Sequence, residues 1–145
     1  MSRSGYVDDS GDDPLAFGRY RQAVKNAIEG KRGQAFLREL AAAMDAMPEK
    51  VLIANELIDE DGSCCAIGVV CKARGLDVSQ VDPDDPDQVG DLVGIARSMA
   101  AEIEFENDED FGRNRDTTPE RRWVYMRQWV QDHILKPKYT GQSEG

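Results

Sequence analysis

Apolar residues recur at spacings of three and four along most of this chain, and the segments they mark are amphipathic helices. Phe17, Tyr20, Val24 and Ile28 form the first stripe, and Asp13-Pro14 supplies a cap and a first helical residue, so a helix is expected from about Pro14 to Glu29. Gly30-Lys31-Arg32-Gly33 interrupts the pattern. Phe36, Leu37, Leu40, Ala41, Met44 and Met47 then make a second stripe that stops at Pro48. So short a connection predicts an antiparallel helical hairpin.

The next segment is ambiguous. Val51-Leu52-Ile53 and Leu57-Ile58 read as a strand or as one apolar helical turn, and their β-branched residues favour the strand. Asp61-Gly62 marks a turn. Cys64, Ile67, Gly68 and Cys71 then share one helical face, with Gly75 placed for a left-handed C-cap, which predicts a buried helix after the turn. Residues 76–85 form a loop ending on Asp85 as cap and Pro86 as first helical residue, with Val89, Leu92 and Val93 as the buried side. Gly94 bends or breaks that helix before Ile95, Met99 and Ile103 continue the stripe. Glu102-Ile103-Glu104-Phe105-Glu106 also alternates with period two, so a short strand is an alternative there. Asn107 to Asp116 is expected as an acidic, then basic, loop. Thr117-Thr118-Pro119-Glu120 starts a last helix with Trp123, Met126, Val130 and Ile134 on its apolar side, ended before Pro137.

The fold class is therefore mostly α: one compact helical bundle of about five helices over residues 13–136, with at most a minor strand pair near 51–58 and 103–106. Residues 1–12 are too polar to offset the entropy of ordering and are expected as an N-terminal arm, with a flexible tail over 137–145. At 145 residues and 40% hydrophobic content the chain can bury a sizeable core. No apolar run approaches the roughly 20 residues that span a bilayer, and Met1-Ser2-Arg3-Ser4-Gly5 lacks an apolar core, so a soluble protein without a secretion signal is expected. Cys64, Cys65 and Cys71, an odd number in one short segment, suit thiols in a reducing cytoplasm better than a disulfide framework.

Charge changes the picture more than composition does. Residues 49–112 hold 17 Asp and Glu against 4 Lys and Arg, whereas residues 1–48 are balanced and 113–145 carry 4 acids and 7 bases. A field this lopsided steers a basic partner, or folds back on the chain's own basic flanks. Asp82, Asp84, Asp85, Asp87 and Asp91 gather at one helix start, where the positive end of the macrodipole tolerates them. That argument does not reach Asp59-Glu60-Asp61 or the row Glu102, Glu104, Glu106, Asp108, Glu109 and Asp110. On a helix Glu102 and Glu106 repel by about 0.2–0.5 kcal/mol. If such groups converge in space they imitate nucleic-acid phosphates, about 1.7 Å apart along a duplex axis. Solubility, or neutralisation by the flanks, is the competing explanation.

Catalytic and metal motifs fare poorly. Setting Gly62 as the invariant glycine of a calcium loop places Leu57 first and Gly68 twelfth, and neither can be the required ligand. A nucleophilic cysteine needs a base, and the single histidine is His133 in the final helix. Adjacent cysteines followed by a five-residue gap are not a zinc spacing. Lys25, Lys31, Arg32 and Arg38 invite a helix-turn-helix reading, but a pI near 4.6 opposes it. In the last helix Arg122, Tyr125 and Trp129 lie beside the core stripe and are residue types of binding hot spots, although Trp129 also serves to widen the core.

Taken in order, Gly30-Lys31-Arg32-Gly33-Gln34-Ala35-Phe36, the Asp61-Gly62 turn followed by Cys65-Ala66-Ile67-Gly68, Ala73-Arg74-Gly75 and Trp123 resemble a family of small hypothetical proteins encoded by bacteriophages and prophages. The resemblance covers most of residues 18–135. It implies a viral or mobile-element origin and carries over no catalytic residue, and Cys64 and Cys71 depart from the family's usual pattern. The expectation is an acidic, non-enzymatic binding protein of phage origin in the host cytoplasm, without cofactor or metal. It would engage a host protein or complex with a basic surface and act as an anti-defence inhibitor by mimicking nucleic acid or by steric block. Asp84, Asp85, Asp87, Asp91, Glu102, Glu106, Asp108, Glu109 and Asp110 would form its contact surface, with Tyr125 and Trp129 added. Membrane association is not expected, direct nucleic-acid binding is disfavoured, and a homodimer stays open. The alternatives are a virion-associated or self-assembling structural protein and a DNA-binding regulator.

Overall fold

The computed structural model describes residues 14–110 and 117–136. The expected arm, the Asp13 cap and the tail lie outside them. Six α-helices are present among these residues: α1 (Pro14–Glu29), α2 (Lys31–Asp45), α3 (Ala66–Arg74), α4 (Pro86–Val93), α5 (Arg97–Phe105) and α6 (Pro119–His133). A π-helical turn, Glu106–Asp110, extends α5 without a break. The expected loop from Asn107 is thus helical through Asp110.

Local chemistry explains most of the boundaries. The Asp85 carboxylate accepts from the backbone N–H groups of Asp87 and Gln88, and Pro86 follows in the first turn. Thr118 caps α6 through the N–H of Arg121. Gly75 and Gly94 end α3 and α4 at φ 72° and 83°, the left-handed conformation in which glycine avoids a Cβ clash. Gly30 alone separates α1 from α2, so the second helix starts earlier than the Gly-Lys-Arg-Gly signal suggested.

The predicted strand pair is absent from the described residues, which hold a single antiparallel bridge between Ile58 and Cys64. Residues 51–58 cannot form a ladder because their backbone is bonded in several directions. Leu52 N–H donates to Pro119 O at 3.1 Å, Ile53 N–H to Cys64 O at 2.9 Å, and the Leu57 carbonyl accepts from Cys65 N–H at 3.0 Å. The Asp61-Gly62 turn does form, held by the Asp59 carboxylate, which accepts from the N–H groups of Asp61 and Ser63. Residues 103–106 continue the helix despite their alternation, because every face of α5 from Met99 to Glu104 is covered by protein.

Two helices organise the packing. α2 touches α1, α3 and α6, while α5 touches α1, α3 and α4. Leu37, Leu40 and Met44 of α2, Met99 and Ile103 of α5, and Ile67 and Val70 of α3 are fully buried between them, with Met126 and Val130 closing the core from α6. Paired forks clamp the outside. Arg74 Nε and Nη2 donate to Glu39 at 2.8 and 2.6 Å, and Arg127 Nε and Nη2 donate to Asp45 at 2.9 and 3.0 Å, fixing α3 and α6 to α2. These guanidiniums hold both carboxyls below their ordinary values of 4.5 and 3.8.

Two outcomes follow. A Cβ at Gly68 would lie 1.8 Å from the Leu57 carbonyl oxygen, a backbone atom that cannot move aside. Gly68→Ala should therefore lower stability by at least about 2 kcal/mol in denaturant melts, whatever it gains in helix propensity. Because Glu39 and Asp45 bind protons less readily folded than unfolded, the stability they add is complete above their unfolded values and is lost as pH falls through the lower native ones. The E39Q/D45N double variant should lose less stability than the wild type on titration through that window, measured by thermal melts across pH.

Candidate functional site

Two groups of acids in the middle of the chain behave differently, apart from Glu49, Glu56 and Asp59-Glu60-Asp61. In the first, residues 102–109 turn inward. Glu102 is 3% exposed, Glu104 is fully buried and Glu106 is 7% exposed. Burying a carboxylate is costly unless it is paired and hydrogen-bonded. At Glu102 and Glu106 the chain meets that cost with groups from its flanks. Arg21 of α1 bonds Glu102 Oε1 through Nη1 at 2.8 Å. The Tyr125 hydroxyl of α6 donates to Glu106 Oε1, and Arg122 of the same helix donates to the Asn107 carbonyl.

Asn107 is the joint of this inner network. Its Nδ2 donates to the Ile53 carbonyl at 2.9 Å and to Asp108 Oδ1 at 2.7 Å, while its Oδ1 accepts from Ala66 N–H at 3.1 Å. A carbonyl can only accept and an amide N–H can only donate, so the orientation of the Asn107 amide is fixed by its partners. One side chain thereby ties the π-helical turn to the loop at 53 and to the start of α3. Asp108 adds a bond from Asn55 N–H at 3.2 Å, and Asn55 sits at φ 71°.

These placements correct the expected contact surface. Glu102 and Glu106 are inside the protein, and Asp108 and Glu109 are half-buried, so they do not extend an exposed acidic face. For Asp110 the structure describes only the backbone, which closes the π-helical turn. Tyr125 is half-buried with its hydroxyl committed to Glu106. Trp129 is 7% exposed, stacked on the His133 ring at 4.2 Å between centroids, and belongs to the core.

The second population stays outside. Residues 76–96 contain six Asp and no Lys or Arg. Asp77, Asp82, Asp84, Asp87 and Asp91 are exposed, and Asp85 is half-buried. Three of the six serve the backbone: Asp77 accepts from Ser79 N–H, Asp82 from Asp84 N–H, and Asp85 caps α4. Asp87 faces Arg97 at 3.4 Å. For Asp84 and Asp91 the described residues show no side-chain partner. Asp84, Asp87 and Asp91 follow one another at spacings of three and four, Asp87 and Asp91 one turn apart on α4.

The thiols are unsuited to nucleophilic chemistry. All three are buried; burial pushes the Cys71 thiol up to about 12 and raises Cys64 as well. No group of three or more His, Cys, Asp or Glu side chains able to hold a metal ion occurs among the described residues, and no helix there is long and apolar enough to cross a membrane.

Sequence reasoning missed the inner network, including Arg21, Glu104 and Asn107. The sequence signal was partial: Met99, Ala100, Ala101 and Ile103 of α5 surround Glu102 and Glu104 along the chain, and all six are buried. No family model, curated protein or solved structure matches the chain.

Asn107→Asp keeps the shape but turns a donor toward the Ile53 carbonyl into an acceptor beside the Asp108 carboxylate. It should cost about 3 kcal/mol of stability in denaturant unfolding at neutral pH, whereas Asp91→Asn on the outer face should change it by less than about 0.5 kcal/mol.

Proposed function

We propose that this protein is a non-enzymatic binding protein that docks its outer acidic ridge, Asp82, Asp84, Asp87 and Asp91, on a basic surface of another protein. One observation carries the reading. The fold uses its inner carboxylates for its own cohesion, while the ridge keeps charge that the fold does not use at Asp84 and Asp91. Like charges held close on one loop and helix raise the local negative potential, steer a cationic partner and hasten its encounter. On this reading the protein is of phage origin and its partner belongs to the host cell, and a groove that normally holds nucleic acid has the complementary charge. Occupying that groove would block it without turnover.

The ridge is narrower than a surface running from Asp84 to Asp110, and Asp85 is left out because its carboxylate is the α4 cap. That division sets the experiment. A D84N/D87N/D91N variant should keep the wild-type melting temperature to within a few degrees. In pull-downs from host lysate it should lose the partners that the wild type retains at low salt and releases at moderate salt. Equal recovery by the two proteins would overturn the reading.

A further inference from the structure

The helical hairpin of α1 and α2 carries six cations, Arg19, Arg21, Lys25, Lys31, Arg32 and Arg38, against three acids, Glu29, Glu39 and Asp45. Helix packing removes part of this charge. Arg21 is held by Glu102, Glu39 by Arg74 and Asp45 by Arg127. Arg19, Lys25, Lys31, Arg32 and Arg38 have no ion-pair partner among the described residues, so five cations stand against Glu29 on a chain of net charge −10.

Two of these cations share one outward stripe. α2 turns Phe36, Leu37, Leu40 and Met44 into the core, which leaves Lys31, Ala35, Arg38 and Ala42 exposed at spacings of four, three and four. Lys31 and Arg38 stand about two turns apart, roughly 10.5 Å along the axis, with Ala35 between them and Ala42 beyond. No element of the described chain covers this stripe, since α2 meets α1, α3 and α6 on its other sides. Arg32 lies next to it and reaches toward the Gly94 carbonyl at 3.5 Å.

The acidic ridge repeats the spacing with the opposite sign. Asp84 and Asp91 are also seven residues apart, both exposed, with Asp87 between them. Within one molecule the two surfaces do not meet. α4 packs on α5 and α3, and no ion pair among the described residues joins residues 82–91 to α2. Each surface therefore keeps its charge for a complement from outside.

Building on the reading of the ridge as a docking surface, we infer that the outer face of α2 receives the ridge of a second copy of this chain, Lys31 and Arg38 of one molecule meeting Asp84 and Asp91 of the next. A nucleic-acid strand suits the stripe poorly, because the acidic remainder of the chain repels a polyanion. Ridge and stripe are different patches, so the contact is heterologous and each pair of molecules still offers one free ridge and one free stripe. Exposed ion pairs are individually weak, which sets a dissociation constant of roughly 0.1–1 mM. Self-association thus occupies the ridge at high protein concentration and yields, by mass action, to a foreign basic surface that binds it more tightly.

Sedimentation velocity of the whole chain at concentrations up to about 1 mM tests this. The net charge repels copies at long range and is screened at about 0.1 M salt, where contact pairs persist; at about 1 M the screening length falls to about 3 Å and the pairs are lost as well. The sedimentation coefficient should therefore rise with concentration at the lower salt and stay monomeric at the higher. K31E/R38E and D84K/D91K each set like charges across the contact, and both should remain monomeric at the lower salt. Their melting temperatures should stay within a few degrees of the wild type, because all four side chains are exposed. An equimolar mixture of the two variants pairs opposite charges again and should associate at least as strongly as the wild type. The proposal is overturned if the wild type stays monomeric, if its association survives the higher salt, if either variant associates as the wild type does, or if the mixture remains monomeric. Loss of host partners by D84N/D87N/D91N from a monomeric wild type would retire the self-contact alone, whereas equal recovery from an associating wild type would retire the host partner alone.

Discussion

Three buried carboxylates, two on α5 and one on the π-helical turn that continues it, impose the constraint on which the rest depends. Polar groups on a helix at the centre of a small bundle cost free energy unless they are met, and α5 carries Glu102 and Glu104 at its C-terminal half and runs into Glu106. Arg21, Arg122 and Tyr125 converge there from the two ends of the described chain. The bundle thereby closes around charge as well as around Leu and Met. Such groups tolerate few alternative arrangements, because removing one partner leaves the other buried and unmet.

Asn107 converts that constraint into connectivity. The loop between α2 and α3 has no ladder and no regular helix, and its one bridge is too short to define a path. It is held instead by bonds that end on other elements: Ile53 on Asn107, Leu52 on Pro119, and the Leu57 carbonyl against Cys65 and the Cβ-free Gly68. Irregular backbone of this sort can be buried only when each polar group has a designated partner. The π-helical turn fits this role, since an added residue per turn re-aims the side chains that follow α5.

The same arithmetic separates structural acids from available ones. Net charge of −10 first reads as one surface, yet much of it is spent on cohesion. On the loop and helix from Asp82 to Asp91 the charge is dense, mostly exposed and partly committed to turns and caps.

By itself the sequence determined the helical class and most helix ends, since those depend on neighbours along the chain: Asp85-Pro86, Thr118-Pro119, Gly75 and Gly94 act over three or four residues. Period-two alternation at Glu102 to Glu106 and β-branching at Val51 to Ile53 misled in the direction of strands, because local preference yields where no partner strand exists to pair with. Only the tertiary structure decided which carboxylates face water. That choice rests on arginines about 80 and 15 residues away along the chain meeting Glu102 and Asn107 in space, and nothing in local spacing encodes so distant a meeting.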